Sequence, residues 1–353
     1  MKKLWHTFRK SIVTKTLYSV GIRIALIITL LTSVSYWHLF TTLEENKLAE
    51  LQIYTKERGA RESQIFQLAE DNHRLLKAEL LQRYSNTDVA TNVLAFDQMF
   101  VKQGDGAYRN NPDNFDASTR AGMWIGEGVD FTDDVKHRTV LFNNLVSDYG
   151  KSWQNRFINT YALGPENFAT MFWPEIPDFA FRIAADFDIR TEEYFSISTL
   201  DNNPTKETVW TGLYRDQQAD MWMVSVETPI YYADTHIATI GNDIALDELF
   251  ARTLATDGEG YKLIFRSDGR LIADPHYIER PKETSGDFMI SRDGDASIKA
   301  IYHAVMNRGD NRAIKLAEID AYLFVTELSG PGWILVNVVP ASVLTEVASS
   351  TAA

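Results

Sequence analysis

The first forty residues constrain this chain more than any other stretch. They hold six basic residues (Lys2, Lys3, Arg9, Lys10, Lys15, Arg23) and no acid, and Ile24 to Phe40 carries no charge at all. From Val20 to Phe40, Arg23 is the only charge, and a helix of about 20 residues rising 1.5 Å per residue crosses a hydrocarbon core. Tyr36 and Trp37 sit near the far end, where amphipathic rings prefer the interface. With basic residues on one side only, the pattern predicts a cytoplasmic N-terminus and an exported body. The rival reading is a cleaved signal peptide, for which Ser33-Val34-Ser35 offers a poor small-x-small site. A buried core helix fits less well, because the run has no polar face.

The remaining 313 residues carry 29 basic and 48 acidic groups, a formal charge of −19. Such an exterior argues against a nucleic-acid partner, which demands a basic face. With 45% hydrophobic residues the chain can bury a core, and its length suits two domains. The absence of cysteine rules out disulfides, Cys-ligated zinc and thiol catalysis. The chain ends at Ser349-Ser350-Thr351-Ala352-Ala353 just after a strand-like segment, and residues 343–353 are read as the lead to a second membrane span.

Thr42 to about Tyr84 reads as one long helix, proline-free, with a single glycine at Gly59 and a length of roughly 65 Å. Charges pair at helical spacing in Glu57/Arg61, Glu70/Arg74 and Glu79/Arg83. A seam of Leu51, Tyr54, Ile65, Leu68, Asn72 and Leu75, broken by Arg58 and Arg61, predicts a helix that packs partly on its own body and partly on a partner helix, hence a homodimer. The alternative is a helix docked on its own domain alone.

Mixed α and β patterns follow. Strands are expected at Arg120–Ile125, Met221–Ile230 and His236–Asp243, helices at Asp133–Tyr149 and Leu246–Thr253, and a boundary at Asp257-Gly258-Glu259-Gly260. Beyond it, Tyr261–Phe265 and Arg270–Ala273 flank a Ser267-Asp268-Gly269 turn as a hairpin. A helix near Ala296–Met306 and strands near Ala313–Ala317, Ala321–Leu328 and Trp333–Val339 complete a small antiparallel sheet.

Several motifs point to one family. Trp222 to Tyr231, followed by Ile240-Gly241-Asn242-Asp243-Ile244-Ala245-Leu246, resembles paired strands ending in a Gly-x-Asp-Ile-x-Leu turn. Asp268-Gly269-Arg270-Leu271-Ile272-Ala273-Asp274-Pro275 resembles an Asp-Gly-x-Leu-Ile-x-x-Pro hairpin, and Gly332-Trp333-Ile334-Leu335-Val336 through Pro340 a closing strand. Their order over residues 42–345 resembles the bacterial double-Cache (PDC-type, PAS-like) extracytoplasmic sensor domains of signalling receptors, most like those of sensor histidine kinases. The resemblance implies an α+β fold: a basic N-terminus (1–19), a transmembrane helix (20–40), a long stalk helix (41–87), a membrane-distal Cache lobe (88–256) and a membrane-proximal one (257–342).

It also implies a small ligand in the distal lobe. In the family's amino-acid-binding branch an Arg-x-Trp-Tyr segment precedes a Tyr-x-Asp pair and a later Gly-x-Asp turn. Tyr214-Arg215-Asp216 matches the pair, Asp243 the turn, and Tyr194-Phe195 stands where Trp-Tyr would; Glu192 occupies the arginine's position and Arg190 is out of register. Asp216 and Asp243 would then hold an ammonium or guanidinium group by charge-assisted hydrogen bonds. Tyr194, Phe195, Trp210 and Tyr214 would pack on it, with cation–π contacts of roughly 0.5–2 kcal/mol each. With the arginine missing, an amine fits better than an acid. The plainer account makes the aromatics core residues and Asp243 a turn or cap residue.

No cofactor or metal is expected. The histidines show no ligand spacing, Asp257-Gly258-Glu259-Gly260 and Asp293-Gly294-Asp295 do not continue into an EF-hand, and there is no P-loop, Gly-x-Ser-x-Gly or dinucleotide fingerprint. His73 reads as a solvated helix histidine, outside the cell and away from ATP. The expectation is therefore a non-enzymatic sensor whose signal passes to a histidine kinase. A diguanylate cyclase or phosphodiesterase, or a chemoreceptor, is the alternative output. From other classes come an envelope interaction protein without a small ligand and an anchored hydrolase using its carboxylates.

Overall fold

The computed structural model describes residues 12–216, 219–245, 260–277, 284, 286–309 and 313–344. The expected helix at Leu246–Thr253, the boundary acids at 257–259 and the C-terminal lead beyond Leu344 lie outside them. A single helix, α1 (Ile12–Asn86), runs for 75 residues, roughly 110 Å. Every residue from Lys15 to Leu39 is exposed. This is the one helix among the described residues long and apolar enough to cross a membrane. The expected span and stalk are thus one unbroken helix.

Helix α2 (Val89–Met99) is capped by Asp88, which accepts from Thr91 N. Strands β1 (Phe100–Lys102), β2 (Tyr108–Asn110) and β3 (Gly122–Ile125) follow, then α3 (Asp133–Trp153), capped by Thr132. Next come β4 (Thr160–Gly164), β5 (Phe168–Phe172), the short helices α4 (Phe179–Arg182) and α5 (Glu193–Ser196), then β6 (Val209–Trp210), β7 (Tyr214–Asp216), β8 (Met221–Tyr232) and β9 (Thr235–Ala245). All pair antiparallel in the order β1-β2-β3-β5-β4-β9-β8-β6, with β7 also on β8. The second sheet comprises β10 (Tyr261–Phe265), β11 (Leu271–Ala273), β12 (Ala313–Leu316), β13 (Ala321–Leu328) and β14 (Trp333–Pro340), in the order β11-β10-β14-β13-β12. Helices α6 (Ile290–Asp293) and α7 (Ala296–Met306) pack beside it. The α+β architecture of two antiparallel lobes on a long helix agrees with the motifs.

Alternation along the strands assigns each face of the first sheet its own core. Phe168 and Phe172 of β5 join Met123, Ala162 and Ile240 against α1, α2 and α3, while Ala169 and Met171 face the opposite side with Trp124, Tyr161 and Leu163. Helix α1 serves both lobes. Leu51 packs on Tyr322, Phe324 and Val339 of the second sheet, and Leu76 and Leu80 enter the core of the first. Between them Phe66 and Ala69 join Val224 and Val226 to Ile264 and Leu335, so one cluster holds residues of both sheets. Phe66 is fully buried, with its ring edge-on to Trp210 at 5.0 Å and to Trp333 at 5.3 Å.

Two expectations for this helix change. Most of the seam packs on the chain's own lobes: Leu51 is buried, Ile65 and Leu68 are half-buried against the shared cluster, and Leu75 alone is well exposed. The charge pairs hold only in part. Arg83 meets Glu79 as its spacing predicts, but Arg74 turns to Asp71 at 3.0 Å. Glu70 instead accepts from Trp210 Nε1 at 3.1 Å, because that indole needs a partner at the lobe junction.

Truncating Phe66 removes the ring around which both lobes meet. Phe66→Ala should lower unfolding free energy by about 3–5 kcal/mol, measured by urea titration of the detergent-solubilised chain. Leu94→Ala, exposed on α2, should stay within about 0.5 kcal/mol.

Candidate functional site

A cavity of about 40 Å³ lies on the face of the first sheet away from α1. Its apolar wall comes from Leu163, Ala169 and Met171 of the sheet, and from Trp173, Phe179, Ile183, Phe187 and Ile189 on the crossing segment between β5 and β6. The polar wall is Tyr161, Tyr194, Tyr214, Asp216 and Asp243. No lysine or arginine is among the described residues that line it.

Strand registry builds the floor. Tyr161 of β4 pairs with Gly241 of β9, which pairs with Glu227 of β8. A Cβ on residue 241 would fall inside the Tyr161 ring, so the glycine lets that ring cross β9. Tyr161 OH thereby reaches both Glu227 Oε1 and Asp243 Oδ1, the latter at 2.9 Å. One registry step along, Ser225 pairs with Asp243 and donates to its Oδ1 at 2.6 Å, with Tyr214 OH at 2.7 Å from Ser225 Oγ. Asn159 Nδ2 donates to Asp243 Oδ2 at 2.5 Å. Tyr194 rests against Tyr214, ring centroids 5.6 Å apart.

Burial dominates the electrostatics. It pushes the Asp243 carboxyl up to about 6 against the lowering effect of the donors from Ser225 and Asn159. Glu227, fully buried, is raised well above the usual range by the same cause. Its Oε2 has no hydrogen-bond partner among the described residues. Tyr161 has one proton to give, so at any moment it donates to only one of Glu227 Oε1 and Asp243 Oδ1. Near the Asp216 end, Glu192 is raised by burial first and then by Asp216, while Asp216 accepts from Ala219 N at 2.7 Å. Such a site presents carboxylates and phenol rings to a cation inside an apolar enclosure.

Of the residues singled out from sequence, Tyr194, Tyr214, Asp216 and Asp243 come together here. Two lie elsewhere. Trp210 sits at the lobe junction against Phe66 and Trp333, because β6 pairs with β8 on the side nearer the second lobe. Phe195 packs in the core behind the pocket, 5.7 Å from the His236 ring. Arg190 is held by Asp188 at 2.7 Å on the surface.

Sequence reading missed Tyr161, Ser225, Glu227 and Asn159. Ser225 and Glu227 at alternate positions of an otherwise apolar strand were the available signal. Tyr161 had none, since its role depends on a glycine 80 residues away. His73 is a correction: it is fully buried rather than solvated, and burial drives its imidazole down to about 4.

Comparison with known proteins bears on the fold that holds this site. Residues 126–251 match the family model of the methyl-accepting chemotaxis protein-like first PDC sensor domain. No curated protein sequence matches the chain. Among solved structures, the sensory domain of the Campylobacter jejuni chemoreceptor Tlp3 (CcmL) with isoleucine bound aligns with TM-score 0.51 at 13% identity, covering 87% of this chain and 98% of that one. The Tlp3 ligand-binding domain with L-valine gives TM-score 0.50 at 13% identity, covering 87% and 97%. The extracellular domain of a candidate histidine kinase, mmHK1S-Z3, gives 0.51 at 13%, covering 87% and 98%. At such identity the structural likeness is one of fold, and the fold is that of double-Cache (PDC-type) sensor domains.

The close passage of Tyr161 over Gly241 sets the floor. Gly241→Ala should cost about 1–3 kcal/mol through overpacking, read as a fall in denaturant midpoint. Gly104→Ala, where an added Cβ meets open space, should stay within about 0.5 kcal/mol.

Proposed function

We propose that this chain is the sensing portion of a membrane-bound signalling receptor, a binding rather than a catalytic module, whose distal lobe takes a small ammonium-bearing ligand. The observation that carries this reading is the polar wall of Asp216, Asp243 and three tyrosines in a pocket with no basic residue among its described lining. An ammonium group would meet Asp243, with Tyr194 and Tyr214 offering ring faces, and its apolar body would lie against Trp173, Phe179 and Phe187. An amino-acid ligand is the second reading, favoured by the isoleucine and L-valine bound to Tlp3. It needs a cation for the carboxylate, and Glu192 stands where the arginine would.

A cavity of about 40 Å³ holds little more than water, so ligand binding requires a wall to move. The wall between β5 and β6 ends at Glu193, which accepts from Gly212 N at 3.0 Å and from Arg270 Nη1 of the second lobe at 3.2 Å. Opening the pocket would therefore disturb the lobe junction. A ligand shifts such an equilibrium only by its differential affinity for the two arrangements, typically 1–3 kcal/mol.

The basic lead before the apolar segment supports a cytoplasmic N-terminus and a periplasmic body in the inner membrane. The exposed side of α1, with Ile53 and Leu75, is the proposed contact of a homodimer. A histidine kinase is the proposed output, although the matching family model is chemoreceptor-like.

Calorimetric titration of the full chain in detergent with alkyl and aryl-alkyl amines, amino acids and small acids tests the ligand reading. An amine should bind best, and Asp243→Asn and Asp216→Asn should each weaken it at least tenfold, about 1.4 kcal/mol. Because Asp243 must be ionised to pair with a cation, affinity should hold steady above pH 6 and fall about tenfold per unit below it. A carboxylic acid lacking an amine as the best ligand, or an unchanged affinity in Asp243→Asn, would sink the reading.

A further inference from the structure

Asn242 and Asp243 are consecutive on β9, so their side chains leave opposite faces of the sheet. Asp243 faces the pocket and Asn242 faces α1. Asn242 Nδ2 donates to Asn159 O at 2.6 Å and Thr160 Oγ1 at 2.8 Å. Its Oδ1 therefore remains for His73 Nε2, 2.8 Å away, which must carry the proton. His73 Nδ1 then accepts from Thr228 Oγ1 at 2.9 Å, and Thr228, its proton committed, accepts from Thr208 at 2.7 Å. Asn159 joins the two faces. Its Nδ2 donates to Asp243 Oδ2 at 2.5 Å, its Oδ1 accepts from Asp243 N at 3.1 Å, and its carbonyl receives Asn242.

We infer that His73 is a positioning residue through which α1 reads the state of Asp243, along the path Asp243–Asn159–Asn242–His73. The step from Asp243 to a ligand rests on the function proposed above; the path itself does not. All four residues are buried, so water cannot replace a lost partner. Asn242 Nδ2 is committed to two acceptors, and reversing the Asn242 amide would set oxygen against oxygen at Asn159. Such a network holds one arrangement or breaks, which makes it a discrete element rather than a compliant one. It ends on the helix that also packs on the second lobe through Leu51 and Phe66.

The test is a double-mutant cycle on the full chain in detergent, followed by chemical unfolding without ligand. His73→Gln and Asp243→Asn should be non-additive by at least tenfold in the unfolding equilibrium constant. His73→Gln with Tyr194→Phe, a pocket pair off the path, should be additive within about twofold. If His73→Gln fails to fold, Thr228→Val removes the donor to Nδ1 together with the acceptor of Thr208 while keeping the imidazole, and it should couple to Asp243→Asn likewise. Additivity within twofold between Asp243→Asn and whichever partner folds overturns the relay. A second arm adds isopentylamine and follows amide hydrogen exchange over residues 69–77. The wild type should change protection there at least threefold, and His73→Gln should lose that response while binding the amine within threefold of wild type. An equal response in His73→Gln also overturns the relay. Absence of amine binding would count against the ligand reading, and the ligand-free cycle would still decide the relay.

Discussion

Everything in this molecule hangs on one helix being shared by two cores. Phe66 lies in a cluster built from both sheets, Leu51 in the second lobe and Leu76 with Leu80 in the first. Helix interiors resist axial compression because each turn is tied to the next by hydrogen bonds. Neither lobe can therefore shift far along α1 without unpacking side chains it shares with the other. Even local backbone chemistry serves this contact: a Cβ at Gly59 would strike the Thr326 side chain of β13. The same helix continues without interruption into the exposed apolar segment.

The pocket is built against the interest of stability. A carboxyl raised to about 6, as at Asp243, favours the folded state fully only below its ordinary pKa. That contribution is lost as pH rises through 6, so at neutral pH the buried charge is a cost. His73 has the opposite sign. Its imidazole is held near 4, so the folded state is favoured above the ordinary value of 6.5, and that advantage is lost as pH falls through 4. Glu227 adds a buried acid with one oxygen unpartnered among the described residues. A core that needed only to pack would place apolar residues at these positions. Three such groups on two adjoining strands and the helix behind them support the proposed ligand site over a purely structural core.

The fold was largely legible because its signals are local. The β8–β9 alternation, the hairpin at Asp268-Gly269 and the periodicity of α7 each specify an element within a dozen residues. Asp243, Asp216, Tyr194 and Tyr214 were legible through motif resemblance. What failed was anything requiring knowledge of which face meets what. Trp210 and Tyr214 lie four residues apart, yet one serves the lobe junction and the other the pocket. His73 sits in a charged stretch, Asp71-Asn72-His73-Arg74, whose composition points to solvent, and only the placement of β8 and β9 behind it reverses that reading. The seam was ambiguous for the same reason, since a helix periodic enough to pair with another helix packs equally well on a sheet, as most of this one does.

Two physical connections leave the pocket, and they differ in stiffness. Glu193 to Arg270 is about a third exposed on the carboxylate side, where water and salt screen it and side-chain freedom absorbs small displacements. Through Asn159 and Asn242 the connection to His73 is buried and made of short hydrogen bonds. A sub-ångström shift of Asp243 is lost at the first and transmitted by the second. A larger excursion of the wall between β5 and β6 loads both. The two paths end at different heights on the same spine, His73 on α1 directly and Arg270 on the second sheet packed beneath Phe66. A ligand that moves both therefore acts on the relation of the two lobes to that helix, the one coordinate that continues toward the apolar segment.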